Sequence, residues 1–245
     1  GESLGPDVSS GSVGILTSIT SANIACGFHA GDPTVMRRTA RLAIKFGVAV
    51  GAHPSFPDPA GFGRRELHKS PDDVENLVVY QVAALAGVVA AEGGCLTHVK
   101  PHGALYNMAA RDRKLADAVA RGVALFNPKL LLVGLSGSCL VAAGRDAGLR
   151  VAAEVFADRA YEPTGALRSR SLPDSVIDDS PAIVKRVLQM VHDRTVPAVT
   201  GELIEVNAET ICVHGDTPGA AQIAVAIREG LEKSGVILVA PREVQ

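Results

Sequence analysis

The chain has 245 residues, 47% of them hydrophobic and 20% charged, with a formal net charge of −2. That composition supports a sizeable buried core and excludes a disordered chain. The 24 Lys and Arg and 26 Asp and Glu form no basic run, so nucleic acid and membrane are not expected partners. Short β-branched runs alternate with helical patterns. The predicted strands are Ala22–Cys26, Val48–Ala52, Thr97–Lys100, Leu131–Leu135, Val151–Val155, Thr210–His214 and Val236–Val239.

A first helix is expected after Asp32, with Pro33 in its first turn. The clearest helix runs from about Pro71 to Glu92, with Val74, Leu77, Val78, Val82, Leu85, Val88 and Val89 on one face. Ser70 can cap it, Asp72 and Asp73 suit its positive end, and Gly93-Gly94 ends it. Its most apolar stretch, Val78–Ala91, is expected to be too short for a bilayer. Shorter helices are expected after Asp112, Ser138, Ser180 and Thr217, a long functional loop over Ala157–Asp179, and a hairpin around Val196–Val206. This alternation points to an α/β fold: a parallel sheet with helices outside, in one barrel-like domain over 1–245. Four scattered cysteines without a C-x-x-C pair fit a reduced, cytoplasmic setting, and no signal peptide is expected.

Four of the seven histidines, His29, His53, His102 and His214, stand at or just after predicted strand ends. In a parallel barrel those ends share one mouth, so these imidazoles are expected to converge as general acids or bases or as metal ligands. The other three, His68, His98 and His192, are expected to be structural or surface residues. Asp32 and Asp216 each precede a helical pattern and combine capping with a free carboxylate oxygen at the mouth. Lys100 ends an apolar strand, where its ammonium is expected to reach the mouth and matter more to turnover than to folding. Arg64 and Arg65 in a Gly- and Pro-rich loop are candidate anion binders; Glu154, Asp158 and Arg159 add charge to the same rim. Cys26 is expected to be buried and inert. The sequence contains no Gly-x-Ser-x-Gly elbow and no Gly-x-x-x-x-Gly-Lys-Ser/Thr phosphate loop.

Taken together, the segments 21–33 (SANIACGFHAGDP), 48–65 (VAVGAHPSFPDPAGFGRR), 98–109 (HVKPHGALYNMA), 154–161 (EVFADRAY) and 210–216 (TICVHGD) resemble the LamB/YcsF family. The resemblance implies a deformed seven-stranded β/α barrel similar to glycoside-hydrolase and deacetylase barrels. It also implies ATP-dependent opening of 5-oxoproline to glutamate, with ATP used by a complex that includes 5-oxoprolinase subunits B and C. Members usually open with Asp-Leu-Asn-x-Asp-x-Gly-Glu; here only Gly1 and Glu2 match, so the first family strand and its two aspartates are expected to be missing from this chain. On this resemblance the catalytic candidates are His29, Asp32, His53, Lys100, His102, His214 and Asp216. Glu2, Asn23, Arg64, Arg65, Glu154, Asp158 and Arg159 are the substrate-binding candidates. One of His29, His53 or His102 is expected to be the base, its tautomer fixed by Asp32 or Asp216. Two alternatives stand beside this reading: a deacetylase or amidohydrolase with a divalent metal on the His/Asp set, and a non-catalytic small-acid-binding subunit.

Overall fold

A computed structural model describes residues 14–215 and 219–241 of the chain. The β-branched runs form β1 (Ser21–Ala25), β2 (Ala49–His53), β3 (Leu96–Val99), β4 (Leu131–Leu135) and β5 (Arg150–Phe156), hydrogen-bonded in that order and all parallel. Next come β6 (Thr195–Pro197) and β7 (Leu203–Glu205), the expected antiparallel hairpin. The last strand, β8 (Thr210–Cys212), returns to pair in parallel with β5. The sheet curls, because side chains from β1, β3, β4, β5 and β8 line one cavity of about 400 Å³.

Helices cover the outside: α1 (Pro33–Lys45), α2 (Pro71–Ala91), α3 (Gly103–Arg111), α4 (Arg113–Phe126), α5 (Cys139–Asp146), α6 (Ser180–His192) and α7 (Ala220–Lys233). Their starts follow the capping chemistry of the sequence. Asp32 accepts from the backbone N–H of Thr34 and Val35, Asp112 from Lys114 and Leu115, and Ser70 from Asp73. Each such cap stabilises its helix by about 1 kcal/mol. The α6 cap is Asp179, one residue before the expected Ser180.

The long apolar helix α2 buries Val74, Leu77, Val78, Val82, Leu85 and Val89 and packs on β2, β3 and α4. Burial of each such side chain is worth roughly 1.5–3 kcal/mol. At 21 residues it is long and apolar enough to cross a membrane by length and composition, which revises the short span read from Val78–Ala91. Here its buried face packs against α4 and the sheet.

Among the described residues the parallel sheet has six strands, and Val236–Val239 is not one of them. The run has strand-like composition, but a strand also needs a ladder partner, and this segment instead borders the cavity beside α7. Ile237 is 85% exposed there.

Alternation along β3 sets the levels of the barrel interior. Successive strand residues point to opposite faces, so His98, Lys100 and His102 project inward at successive levels, while Val99 joins the outer core. The ladder continues past the strand end: Lys100 N–H donates to the Ala52 carbonyl at 2.9 Å and His102 N–H to that of Pro54 at 2.8 Å. Tight pairing therefore extends past the end of β3 through both residues.

Candidate active site

At the top level, β1, β2 and β3 deliver three imidazoles into one cluster. His29 stacks flat on His102, with ring centroids 3.9 Å apart and planes within 4°. His53 meets His102 edge-on, Nε2 to Nδ1, at 3.0 Å. The outer nitrogens are held by backbone: His53 Nδ1–H donates to the Lys100 carbonyl at 2.5 Å, and His102 Nε2–H to that of Phe62 at 2.8 Å. All three rings are buried. Carbonyls, not Asp32, therefore orient two of them; Asp32 is exposed and spends one oxygen capping α1.

The loop between β2 and α2 is the roof of this cluster. Buried Gln81 on α2 latches it, accepting from Ser55 N–H and donating to the Ser55 carbonyl, both at 2.9 Å. Asp58 ties its ends by accepting from Gly61 N–H and from the Arg65 guanidinium. That guanidinium holds the Asp58 carboxyl below the usual range. Gly63 has φ of +66°, and a Cβ there would strike Ser55, His29 and His102. Gly103, at φ of +56°, would drive a Cβ into the Gly63 carbonyl, which accepts Ala104 N–H at 2.9 Å. Glycine lets the two turns interlock directly over the imidazoles. Arg64 lies over the Phe62 ring at 5.0 Å.

On the far side of the mouth, β5 and β8 end in a second unit. His214 Nδ1–H donates to both carboxylate oxygens of Asp158 at 2.9 Å. Both side chains are buried, and the His214 ring stacks on Phe156. This is a carboxylate–imidazole pair placed by strand ends 56 residues apart in sequence.

One level down, Lys100 departs from its sequence reading. Its ammonium points into the barrel, donating to Glu154 Oε1 at 2.9 Å and to Cys212 Sγ at 3.0 Å. Tyr106 donates to the other Glu154 oxygen at 2.8 Å. Burial, reinforced by the Glu154 charge, raises the Tyr106 hydroxyl well above its ordinary range. Lys100 and Glu154 thus belong to a buried ion pair rather than to an exposed rim.

At the lowest level is His98, which sequence reasoning left as a structural residue. Its Nε2 lies 3.0 Å from the Asn23 side-chain amide and its Nδ1 lies 2.8 Å from Thr97 Oγ1. The Thr97 hydroxyl also reaches the Val50 carbonyl, and Asn23 Oδ1, which only accepts, takes the His98 Nε2–H. Burial pushes His98 down to about 3, with the Lys100 and His53 charges adding to the effect. The ring fits because Gly51 beside it has no side chain. That glycine, one strand over, was the signal available in the sequence.

The remaining candidates divide. Arg159 turns away from the imidazoles, donating to the carbonyls of Ser175 and Arg168 within the long loop. Arg65 is spent on Asp58. Cys26 is buried, its thiol pushed up to about 12 by desolvation, in keeping with an inert role. Glu2 and Asp216 lie outside the described residues. Asn23, His98, Glu154 and Cys212 line the cavity, while His29, His53, His102 and His214 lie outside its walls. Among the described residues no group of three or more His, Cys, Asp or Glu side chains is arranged to hold a metal ion.

A curled parallel α/β sheet with imidazoles and a carboxylate gathered at its strand ends defines a barrel-type protein with a polar mouth. Residues 1–245 match the LamB/YcsF family, and the chain belongs to it. It is 56% identical to a Chloroflexus aggregans protein named as the A subunit of 5-oxoprolinase, over 99% of this chain and 96% of that protein. A Geobacillus kaustophilus protein of the same name is 55% identical over 93% of this chain and 89% of its own length. Among solved structures, the lactam utilization protein from Thermus thermophilus superposes with a TM-score of 0.87 at 46% identity, covering 96% of this chain and 94% of that one.

Proposed function

We propose that this chain is the A subunit of an ATP-dependent 5-oxoprolinase, a hydrolase that opens the cyclic amide of 5-oxoproline to glutamate. The observation that carries the reading is identity of 56% over 99% of the chain to a protein of that name. The mouth supplies the chemistry such a reaction needs. A lactam is a poor electrophile, and its opening needs a base for the attacking water and a proton for the departing nitrogen.

His214 is the base in this proposal. Asp158 holds its Nδ1–H, which fixes the tautomer, leaves Nε2 as acceptor and stabilises the imidazolium that forms. This replaces the sequence expectation of a base among His29, His53 and His102. Those rings lie under the Gly63 loop, which shields them from water. Arg64, carried by the same roof, is the candidate partner for the substrate carboxylate.

ATP belongs to the complex rather than to a cradle on this chain, since the sequence holds no Gly-x-x-x-x-Gly-Lys-Ser/Thr loop. When bound, it supplies the phosphoryl group that activates the amide oxygen. Partner subunits B and C carry that step. The complex works in the cytoplasm, where Cys26, Cys95, Cys139 and Cys212, none of them in a disulfide, stay reduced. Reconstitution tests the proposal: glutamate should form from 5-oxoproline only when this chain, both partners and ATP are together. Equal glutamate release without this chain would refute it.

A further inference from the structure

We infer that His53 and His102 hold one proton between them, making the pair a single monocation and a built-in proton donor at the barrel mouth. Each imidazole has two nitrogens, and in each ring one is committed to a carbonyl: His53 Nδ1 to Lys100 and His102 Nε2 to Phe62. A carbonyl oxygen only accepts, so both of those nitrogens carry hydrogen. If both rings were neutral, His53 Nε2 and His102 Nδ1 would be bare. Yet these two nitrogens face each other at 3.0 Å. Two lone pairs at that separation repel, whereas a proton between them makes a charge-assisted hydrogen bond. Flipping either ring would put a carbon against a backbone carbonyl and forfeit a bond in a buried site.

The surroundings fit one added charge. From β3, Lys100 offers its carbonyl while its ammonium is neutralised by Glu154 and touches Cys212. His98, below on the same strand, is kept neutral by burial. From the β1 side, His29 lays its ring face on His102, and Cys26, protonated by burial, takes the backbone N–H of His53. From the roof, the Phe62 carbonyl accepts, Arg64 lies over the Phe62 ring, and Asp58 is matched by Arg65. Across the mouth, the Asp158 carboxylate accepts the Nδ1–H of His214. Two carbonyl dipoles, one at each outer N–H, are thus aimed at the shared cation.

The use of this proton rests on the ring-opening reading. As the ring C–N bond breaks, its electron pair stays on nitrogen, which takes the shared proton. The hydroxyl of water joins the carbonyl carbon and its other proton goes to His214; loss of the C–N bond leaves an acyl phosphate, which a second water cleaves to the carboxylate and free phosphate. Return of that proton through solvent refills the pair.

Proton counting decides the inference without any assay of turnover. The full chain, labelled with ¹⁵N in histidine, would be examined near neutral pH by long-range ¹H–¹⁵N correlation, with His53→Gln and His102→Asn as assignment controls. Three protons on the four ring nitrogens of the pair are expected. In each variant an amide N–H replaces the shared proton, and the surviving ring should show one bare nitrogen. Two protons and two bare nitrogens in the parent chain would overturn the inference, and that spectrum suffices even if a variant fails to fold. A two-proton pair in a chain that still supports glutamate release would remove this inference alone; a three-proton pair without glutamate release would remove only the ring-opening reading.

Discussion

Two levels of one strand, the barrel interior at Lys100 and the mouth at His102, receive their polar side chains in opposite ways. Lys100 is held by side chains from distant strands, Glu154 on β5 and Cys212 on β8, and every group in that cluster answers another. His102 is held by backbone, through the Phe62 carbonyl and the interlocked turns at Gly63 and Gly103, and its inner nitrogen faces another imidazole. An interior in which charge is matched by charge gives stability and little freedom. A mouth in which rings are fixed from behind leaves protons free to move, which is the condition for acid–base chemistry.

The largest effect should come from breaking the interior level. Lys100→Met leaves Glu154 buried without its cation, which costs about 3–5 kcal/mol. The melting temperature should fall sharply, and adding Glu154→Gln should restore part of it. A parental melting temperature would return Lys100 to the exposed, turnover-related role its strand-end position suggests. Next, Asp158→Asn at the mouth should lower reconstituted turnover by roughly 10²-fold or more while leaving melting within a few degrees. A loss of activity that merely tracks the folded fraction would instead make the pair structural.

Gly63→Ala separates the roof from what it covers. It imposes a side chain at positive φ against His29 and His102, at a cost of about 1–3 kcal/mol, read as a lowered denaturation midpoint. An unchanged midpoint would mean that the roof is not tightly seated. At neutral pH the smallest effect lies at the lowest level, because it is seen only in acid. His98 is depressed to about 3 when folded, so its contribution is fully present above the unfolded value near 6.5. It is lost as pH falls toward 3, by about 1.4 kcal/mol per unit between those values, because only the unfolded chain takes the proton. Denaturation of His98→Asn should therefore show a shallower decline with pH than the parent in that window. Parallel declines would show that His98 is protonated in the folded chain.

The same contrast explains what the sequence made legible. Strand ends, Pro and Gly around His29, His53 and His102, and the caps at Asp32, Ser70 and Asp112 are local patterns, and the structure has them. Pairings across the curl are not local. Nothing in the Thr97–Lys100 run says that the ammonium will meet Glu154, that His98 will meet Asn23 on β1, or that Asp158 will take His214. Lys100 read as a mouth residue because a strand-end lysine usually escapes to solvent; curling of the sheet turned it inward. Val236–Val239 failed as a strand for a related reason, since composition sets propensity but a partner edge decides pairing.

The most direct test of the ring-opening role is glutamate release from 5-oxoproline by this chain reconstituted with the B and C subunits of 5-oxoprolinase plus ATP, run beside the Asp158→Asn and His102→Asn chains. Release should require all components and fall roughly 10²-fold or more in both variants while the complex still assembles. Full release from B and C alone, or parental turnover with both mouth variants, would contradict it.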